Sequence, residues 1–449
     1  MSGVSNRHAA FWLTLIVVTY LVVGALFAIY TPAWQVPDEP AHYNYVRYLA
    51  EGGRFPILQD GDYPHEYLEE IKSQKFPDHL SIDPIRYEFY QPPLYYLLAT
   101  PIFKLFDGAL VALRLLSVGL GAGLVYVAYR LALAICPAQP TLALGTAAFV
   151  AFVPMHTAMM AAVNNDTLSE LLLALTLWGT VRYLKGRGDN RALAVVGVLL
   201  GLGLLTKIHA LNAVAVSLTS VVFRRWRDWR KMMRELARLL VPALMLTVPW
   251  LVRNVVVYGW PDVMGLARHD EVVLGQLTTA GFVAQHGWAR LLSDGLRTTY
   301  RSFWGKFGWM AVPVDGRIYW ALGLFSAVSV VGLTWRLVTV VRRSKGGLRD
   351  ANVAPAALLF LSALLTLLSY LWYNTKFVQH QGRYLFTALI PLGLAMALGW
   401  SAMLGWGRAL VSRLRRIDRF DRLLFVAPYA GLAVLDLVCL FVFVVPYLS

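Results

Sequence analysis

The sequence predicts an all-α polytopic membrane protein with about 11 transmembrane helices and further helices in the membrane interface. Of its 449 residues, 58% are hydrophobic, whereas soluble domains are roughly 45–50% apolar. The excess lies in long uncharged runs, which are typical of transmembrane helices. Basic residues, which give a formal net charge of +15, occur in short segments between these runs. We therefore expect residues 1–449 to form a single membrane domain.

Composition and motifs argue against several other classes of protein. No soluble module carries a stripe of basic and aromatic residues, so we expect no nucleic-acid partner. The two cysteines, Cys136 and Cys439, lack metal-ligand or redox spacing, which argues against a disulfide framework. The sequence has no Walker loop, dinucleotide fingerprint, metalloprotease motif or nucleophile elbow. The absence of a nucleotide-binding motif therefore argues against an ATP-driven transporter and against a cytosolic nucleotide-sugar enzyme.

The hydrophobic runs divide into spans because a bilayer crossing requires about 20 apolar residues. The first run lacks a small-residue cleavage site, so we expect it to remain as a span. Two later runs, 192–206 and 208–223, are short and fit either two spans or one span with an interfacial piece. The predicted spans are residues 10–30, 109–135, 141–163, 167–184, 192–206, 208–223, 239–258, 317–341, 353–373, 384–404 and 424–447.

The basic segments 223–238, 342–349 and 408–422 are predicted to be cytoplasmic. If the N-terminus is cytoplasmic and residues 192–206 and 208–223 form two spans, all three basic segments fall on the cytoplasmic side. The C-terminus then falls on the extracytoplasmic side. Segments 31–107 and 259–315 then form extracytoplasmic loops, the first acidic and the second rich in Trp, His and Arg. Long loops are usually functional or disordered, and the aromatic content of these two argues against disorder.

The first loop opens with Asp38 and Glu39, followed at one helical turn by His42. Pro40 suits the first turn of a helix that we expect to run to Glu51 and to lie in the interface. A carboxylate at this position can act as general base toward an incoming hydroxyl or amine. Capping of the helix is the alternative interpretation.

Further along this loop, residues 87–96 combine Glu88, two prolines and several aromatic side chains, including Tyr90. The two prolines predict an extended lead into a second interfacial helix over residues 92–106. Aromatic side chains here suit stacking on a sugar ring and equally suit the aromatic belt of a membrane interface.

Two polar motifs interrupt the apolar runs of the middle of the chain. Asp166, in the sequence Asn-Asn-Asp-Thr, either caps a helix or supplies a second acidic group facing the first loop. Lys207, followed by His209, is costly in lipid unless it reaches the headgroups or has an anionic partner. The phosphate of a lipid carrier is one such partner.

A short outer loop before a late span carries Lys376, His380 and Arg383, contrary to the positive-inside trend. These side chains could bind a phosphate, with Arg383 donating two hydrogen bonds to it. Arg253, near the end of its span, could contribute to the same phosphate site. Contact with lipid headgroups is the alternative.

The order of these motifs resembles the GT-C superfamily of membrane glycosyltransferases, which includes protein O-mannosyltransferases and the aminoarabinose transferase of lipid A. The resemblance rests on the Asp-Glu pair after the first span, the interfacial helix and the sequence Pro-Pro-Leu-Tyr-Tyr. The stretches PDEPAHYNYVRYLAEGGRFP, NNDT, GLGLLTK and QGRYLFTALIP look similar to a less-characterised bacterial branch. The resemblance covers residues 11–391.

The resemblance implies a sugar donor linked to polyprenyl phosphate and an inverting displacement at the extracytoplasmic face of the bacterial inner membrane. Asp38 would be the base, with Glu39 as the next candidate. Lys207, Arg383 and Lys376 would bind phosphate, and Asp166 and His42 would support the site or the acceptor. The resemblance leaves open a divalent metal such as Mg²⁺ or Mn²⁺. The acceptor, whether glycan, lipid or protein, also stays open.

Two alternatives use the same lipid carriers. A flippase or transporter for a lipid-linked sugar would need charges along a path between leaflets, and Asp436 is the clearest charge within a span. An O-antigen-type polymerase or ligase would rely on basic residues in large outer loops. The early acidic pair favours the transferase, provided that Asp38 lies close to Lys207 and Arg383.

Overall fold

The computed structural model describes residues 6–187, 190–343, 353–410 and 418–449. These residues are largely helical, with one hairpin of two-residue strands, β1 (Lys306–Phe307) and β2 (Val312–Pro313). The helices are α1 (Asn6–Tyr30), α2 (Glu39–Gly52), α3 (His65–Ser73), α4 (Leu94–Leu105), α5 (Leu110–Ile135), α6 (Pro140–Ala151), α7 (Pro154–Met160), α8 (Asp166–Leu184), α9 (Asn190–Leu204), α10 (Ala210–Arg225), α11 (Trp229–Tyr258), α12 (Leu266–Val272), α13 (Thr279–Trp304), α14 (Gly316–Arg343), α15 (Val353–Lys376), a 3₁₀ turn (Gly382–Ala388), α16 (Leu389–Leu410), α17 (Asp418–Val438), a π segment (Cys439–Val444) and α18 (Val445–Leu448).

The predicted all-α polytopic membrane fold is confirmed. In the described residues, seven helical segments are long and apolar enough to cross a bilayer. They are Arg7–Tyr30, Leu110–Ile135, Trp229–Tyr258, Gly316–Thr339, Val353–Lys376, Gly382–Gly407 and Arg422–Leu448.

Helices α6 and α7 add an eighth crossing if they are counted as one span, although the chain bends by 66° between them. The bend lies just before Pro154, whose nitrogen has no hydrogen to donate to the preceding turn. Helices α9 and α10 have 15 and 16 residues, fewer than the roughly 20 that a bilayer crossing requires. These features account for three of the four predicted spans that are not among the seven. The fourth, 167–184, forms α8, which has 19 residues but includes the charged side chains Asp166, Glu170 and Arg182.

The bundle is built from close helix pairs: α9 packs on α11, α14 on α16, and α5 on both α6 and α8. Helices α14 and α16 approach each other closely at Gly399. A Cβ added at this residue would lie 1.8 Å from the carbonyl oxygen of Ser329, so the crossing has no room for a side chain. Small residues at such crossings allow backbones to approach closely within a membrane.

Helices α2, α3 and α4 lie within residues 31–107, and α12, α13 and the hairpin lie within residues 259–315. Helix α2 ends at Gly52 and is followed by Gly53 at a φ of 61°, in agreement with the predicted stop. Its buried face packs on α4, where the rings of Tyr45 and Tyr96 stack with centroids 3.7 Å apart. Tyr48, on the same helix, is 40% exposed.

The first basic segment, 223–238, covers the end of α10 and the beginning of α11. It lies at the opposite end of α10 from Lys207, a separation of about 24 Å for a helix of 16 residues. The other two segments, 342–349 and 408–422, lie partly outside the described residues, so their cytoplasmic placement stays a prediction.

Candidate active site

A cavity of about 810 Å³ opens where the first outer segment meets the beginnings of α8 and α10 and the loop before α16. Its wall includes the side chains of Asp38, Tyr90, Asp166, Lys207, Lys376 and Arg383. The structure thus brings together six of the ten candidate residues from four separate parts of the sequence. An arrangement of acids and bases in one concave site is suited to binding a polar or anionic ligand.

Asp38 and Arg383 form the central ion pair of this cavity. A guanidinium nitrogen of Arg383 lies 2.7 Å from Oδ2 of Asp38, and Tyr87 donates a 2.7 Å hydrogen bond to Oδ1. Both carboxylate oxygens therefore have partners. Asp38 has a φ of 68°, in the left-handed region, which turns the chain sharply just before α2. Such backbone strain recurs at functional sites.

The surroundings of Asp38 favour its ionised form. Burial acts to raise its pKa, but the charge of Arg383 and the hydrogen bonds from Tyr87 and Arg383 outweigh burial and leave the pKa below its ordinary value. At neutral pH the carboxylate is charged and can accept a proton.

The position of Arg383 depends on Gly382, the first residue of the 3₁₀ turn. The amide of Gly382 donates a 2.7 Å hydrogen bond to the Ser302 hydroxyl of α13. A Cβ at residue 382 would lie 2.3 Å from the backbone nitrogen of Phe303. The backbone of this turn therefore approaches α13 more closely than a side chain would allow.

Asp166 and Lys207 form a second ion pair, at 2.6 Å. The side chain of Asn165 donates to the carbonyl of Thr206, which ties the beginning of α8 to the turn before α10. Although burial opposes the change, Lys207 holds the pKa of Asp166 down to about 2, and Asp166 in turn raises the pKa of Lys207. Burial and the charge of Lys207 lower the pKa of His209 to about 4, so this histidine is neutral at pH 7.

A third pair joins Lys376 to Asp270 of α12 at 3.1 Å, at the same cavity. Sequence reasoning missed Asp270, because nothing in its local pattern distinguishes it from a solvated loop acid. It also missed Lys72 of α3, which pairs with Glu69 at 2.5 Å and lies 5.2 Å from the ring centre of Trp309. In the sequence, both residues look like ordinary surface charges. Only the structure shows that they line the cavity.

Glu39 lies on the other side of the chain from Asp38 and is fully buried. It accepts two hydrogen bonds from Arg114 of α5, at 2.8 and 2.6 Å, and a third from the amide of Val163 at 3.2 Å. Arg114 also donates to the carbonyls of Ala28 and Thr31 at the end of α1. Glu39 therefore joins α1, α5 and the turn before α8, and it does not line the cavity.

Three other candidates lie behind or beside the cavity wall. His42 is buried, shares a 2.8 Å hydrogen bond with Tyr96, and has a pKa lowered by that burial. Arg253 donates to the carbonyl of Pro56 and lies over the ring of Trp250, at 4.7 Å. His380 packs against Gly295 of α13, and its own burial lowers its pKa.

The described part of the chain contains no group of three or more His, Cys, Asp or Glu side chains that could hold a metal ion. Mg²⁺ is commonly held by one or two carboxylates together with water and the phosphate of a substrate, so a divalent metal bound with the donor stays a prediction.

The predicted resemblance to the GT-C superfamily is confirmed at the level of the fold. A crystal structure of ArnT from Cupriavidus metallidurans bound to undecaprenyl phosphate superposes with a TM-score of 0.54 and 17% sequence identity. The superposition covers 98% of this chain and 74% of that one. The apo state of the same ArnT gives a TM-score of 0.51 and 16% identity over the same shares of the two chains.

In sequence, residues 90–252 match a family model described as dolichyl-phosphate-mannose-protein mannosyltransferase. The matched segment contains Asp166 and Lys207, whereas Asp38 and Arg383 lie outside it. No curated protein matches this chain in sequence.

Proposed function

We propose that this protein transfers a sugar from a polyprenyl-phosphate donor to an acceptor at the extracytoplasmic face of the membrane. The GT-C fold supports lipid-linked sugar transfer in general. The observation that carries the specific proposal is the pairing of Asp38 with Arg383 at 2.7 Å, beside Lys207, in one large cavity. This arrangement sets a carboxylate next to two cations that suit a phosphate.

Arg383 and Lys207 bind the phosphate of the donor. The Nε atom of Arg383 is buried and has no hydrogen-bond partner among the described residues, so the guanidinium has a donor to offer to an anion. An Arg fork matches the oxygens of a phosphate, and a Lys ammonium adds a mobile point charge. Lys376, at the same wall, extends this basic surface.

The chemistry is a single displacement in which Asp38 acts as general base. The oxygen or nitrogen of the acceptor forms a bond to the anomeric carbon, and its proton passes to Asp38. The bond from that carbon to the phosphate oxygen breaks, and polyprenyl phosphate leaves with the electron pair. One displacement inverts the anomeric configuration.

Binding of the phosphate prepares Asp38 for this role. A phosphate that takes hydrogen bonds from Arg383 competes with Asp38 for the same guanidinium. As the pair loosens, the pKa of Asp38 rises toward its ordinary value and the carboxylate becomes a stronger base. The ion pair thus links donor binding to activation of the acceptor.

The position of the basic residues supports the extracytoplasmic face. Residues 223–238 include the beginning of the span Trp229–Tyr258, and the hydroxyl of Tyr258 at its other end accepts a hydrogen bond from the amide of Leu58 in the first outer segment, which lines the cavity. Since clusters of Lys and Arg remain on the cytoplasmic side, the cavity faces the opposite leaflet. Bacterial polyprenyl-phosphate sugars in that leaflet are then the donors within reach.

The proposal is tested with purified protein in nanodiscs and radiolabelled undecaprenyl-phosphate glucose, by following release or transfer of the sugar. We expect Asp38→Asn to reduce turnover by roughly 100-fold or more, the scale of general-base catalysis. Asp78→Asn, at an exposed position of the same loop, is the matched control. Undiminished turnover in Asp38→Asn would exclude the catalytic role, and movement of unaltered lipid between leaflets would indicate a flippase.

A further inference from the structure

Among the described residues, five carboxylates line the cavity, and four of them are ion-paired. The fifth, Glu88, has no ion pair in the described part of the chain. The four pairs are Asp38 with Arg383 at 2.7 Å, Glu69 with Lys72 at 2.5 Å, Asp166 with Lys207 at 2.6 Å and Asp270 with Lys376 at 3.1 Å. Glu88 is therefore the one cavity-lining carboxyl group without an ion-pair partner among the described residues.

Glu88 is also buried. It is 8% exposed, and its Oε2 atom is shielded from solvent without any hydrogen-bond partner. Burying a carboxylate oxygen without a partner is unfavourable, so such groups in native structures call for an explanation. A ligand that donates a hydrogen bond in the cavity provides one.

The backbone holds Glu88 in a fixed place. The amide of Phe89 bonds to the carbonyl of Arg86, and the amide of Gln91 bonds to the carbonyl of Glu88, which gives two successive tight turns. Tyr87 and Phe89 on either side are buried, and Tyr87 donates to Asp38. The backbone of Glu88 is thus anchored one residue from a direct partner of Asp38.

The groups around Glu88 are neutral or already paired. Burial raises the pKa of Tyr90 well above its ordinary value and the charge of Glu88 raises it further, so this ring stays protonated. Burial lowers the pKa of His42 and outweighs the opposing charge of Glu88. Lys207 is close enough to interact with Glu88, but it pairs with Asp166.

We propose that Glu88 accepts a hydrogen bond from a hydroxyl or ammonium group on the sugar of the donor and so selects which sugar is bound. This inference rests on the proposed function, which puts the phosphate at Lys207 and Arg383 and the anomeric carbon near Asp38. The sugar ring is then the part of the donor that extends toward Glu88. Tyr90, in the same wall, offers it an aromatic ring.

The test compares binding of three carriers to the full-length protein in nanodiscs: undecaprenyl phosphate, undecaprenyl-phosphate glucose and undecaprenyl-phosphate glucosamine. We expect the wild type to bind at least one sugar-bearing carrier more tightly than the bare carrier. Glu88→Gln should reduce that preference by about tenfold, as expected for loss of a hydrogen bond to a charged group, and leave the bare carrier unaffected. Glu66→Gln, an exposed residue outside the cavity, is the matched control.

The outcomes separate this inference from the proposed function. A preference for glucosamine that is lost in Glu88→Gln identifies an ammonium partner, and a lost preference for glucose identifies a hydroxyl partner. An unchanged preference in Glu88→Gln overturns the role of Glu88 while leaving the transferase intact. A wild type that binds none of the carriers overturns the proposed function itself. If Glu88→Gln fails to fold, Glu88→Asp, which withdraws the carboxylate by one methylene, should show the same loss.

Discussion

Arg114 of α5 and Glu39 of α2 are joined by two hydrogen bonds, 2.8 and 2.6 Å long, at a point that solvent does not reach. The pair lies between the end of α1 and the turn before α8, because Arg114 also binds the carbonyl of Thr31 and Glu39 binds the amide of Val163. Asp38 immediately precedes Glu39, and Asp166 closely follows Val163. The buried pair therefore holds the two acidic segments of the cavity in register.

Replacement of Arg114 by Met should destabilise the protein strongly, because it leaves Glu39 charged and buried without a counter-ion. Loss of one partner of a buried pair typically costs about 3–5 kcal/mol. Arg47→Met is the control, since Arg47 pairs with the exposed Asp83 and such pairs contribute up to about 1 kcal/mol. Thermal unfolding in detergent measures both, and equal unfolding temperatures would contradict the structural role of Arg114.

Acidification should remove the stabilising effect of Asp166. Its pKa is about 2 in the folded protein against an ordinary value of 3.8. A carboxyl whose pKa is depressed by folding stabilises the protein above the unfolded pKa and loses this effect as the pH falls through the folded pKa. The difference in unfolding free energy between wild type and Asp166→Asn should be about 2 kcal/mol near neutral pH and shrink between pH 4 and 2. A pH-independent difference would contradict the pairing with Lys207.

Removal of Lys207 should weaken binding of undecaprenyl phosphate by about tenfold, the scale of a charge-assisted hydrogen bond. Since Lys207→Met alone would leave Asp166 unpaired, the informative variant is Lys207→Met combined with Asp166→Asn, which removes both charges. Lys104→Met, at an exposed position at the end of α4, is the control. The measurement is the dissociation constant of undecaprenyl phosphate from the protein in nanodiscs. Wild-type affinity in the double variant would show that Lys207 does not contribute to phosphate binding.

A side chain at residue 382 should disturb Arg383 without touching the cavity directly. The added Cβ of Gly382→Ala would meet the backbone of Phe303 at 2.3 Å, so the 3₁₀ turn must move away from α13. We expect lower thermal stability together with weaker binding of undecaprenyl phosphate. Gly405→Ala, where an added Cβ meets nothing within 4 Å, should change neither. A destabilised variant with full affinity would show that Arg383 does not depend on this turn.

The sequence by itself determined the helices and many of the charged candidates. Span length, the Pro40 start and the Gly52-Gly53 stop of α2 depend on local hydrophobicity and backbone preference, which are properties of neighbouring residues. The unusual positions of Lys207 and Arg383 were also visible, because charges next to apolar runs need a partner.

Only the tertiary structure decided which charges meet. Asp38 and Glu39 are adjacent and chemically alike, but the positive φ of Asp38 directs one carboxylate to the cavity and the other to Arg114. Glu88 became distinctive only when the other acids of the cavity were found to be paired. Pairing between residues far apart in sequence depends on how the helices pack, and a local pattern carries no record of that packing.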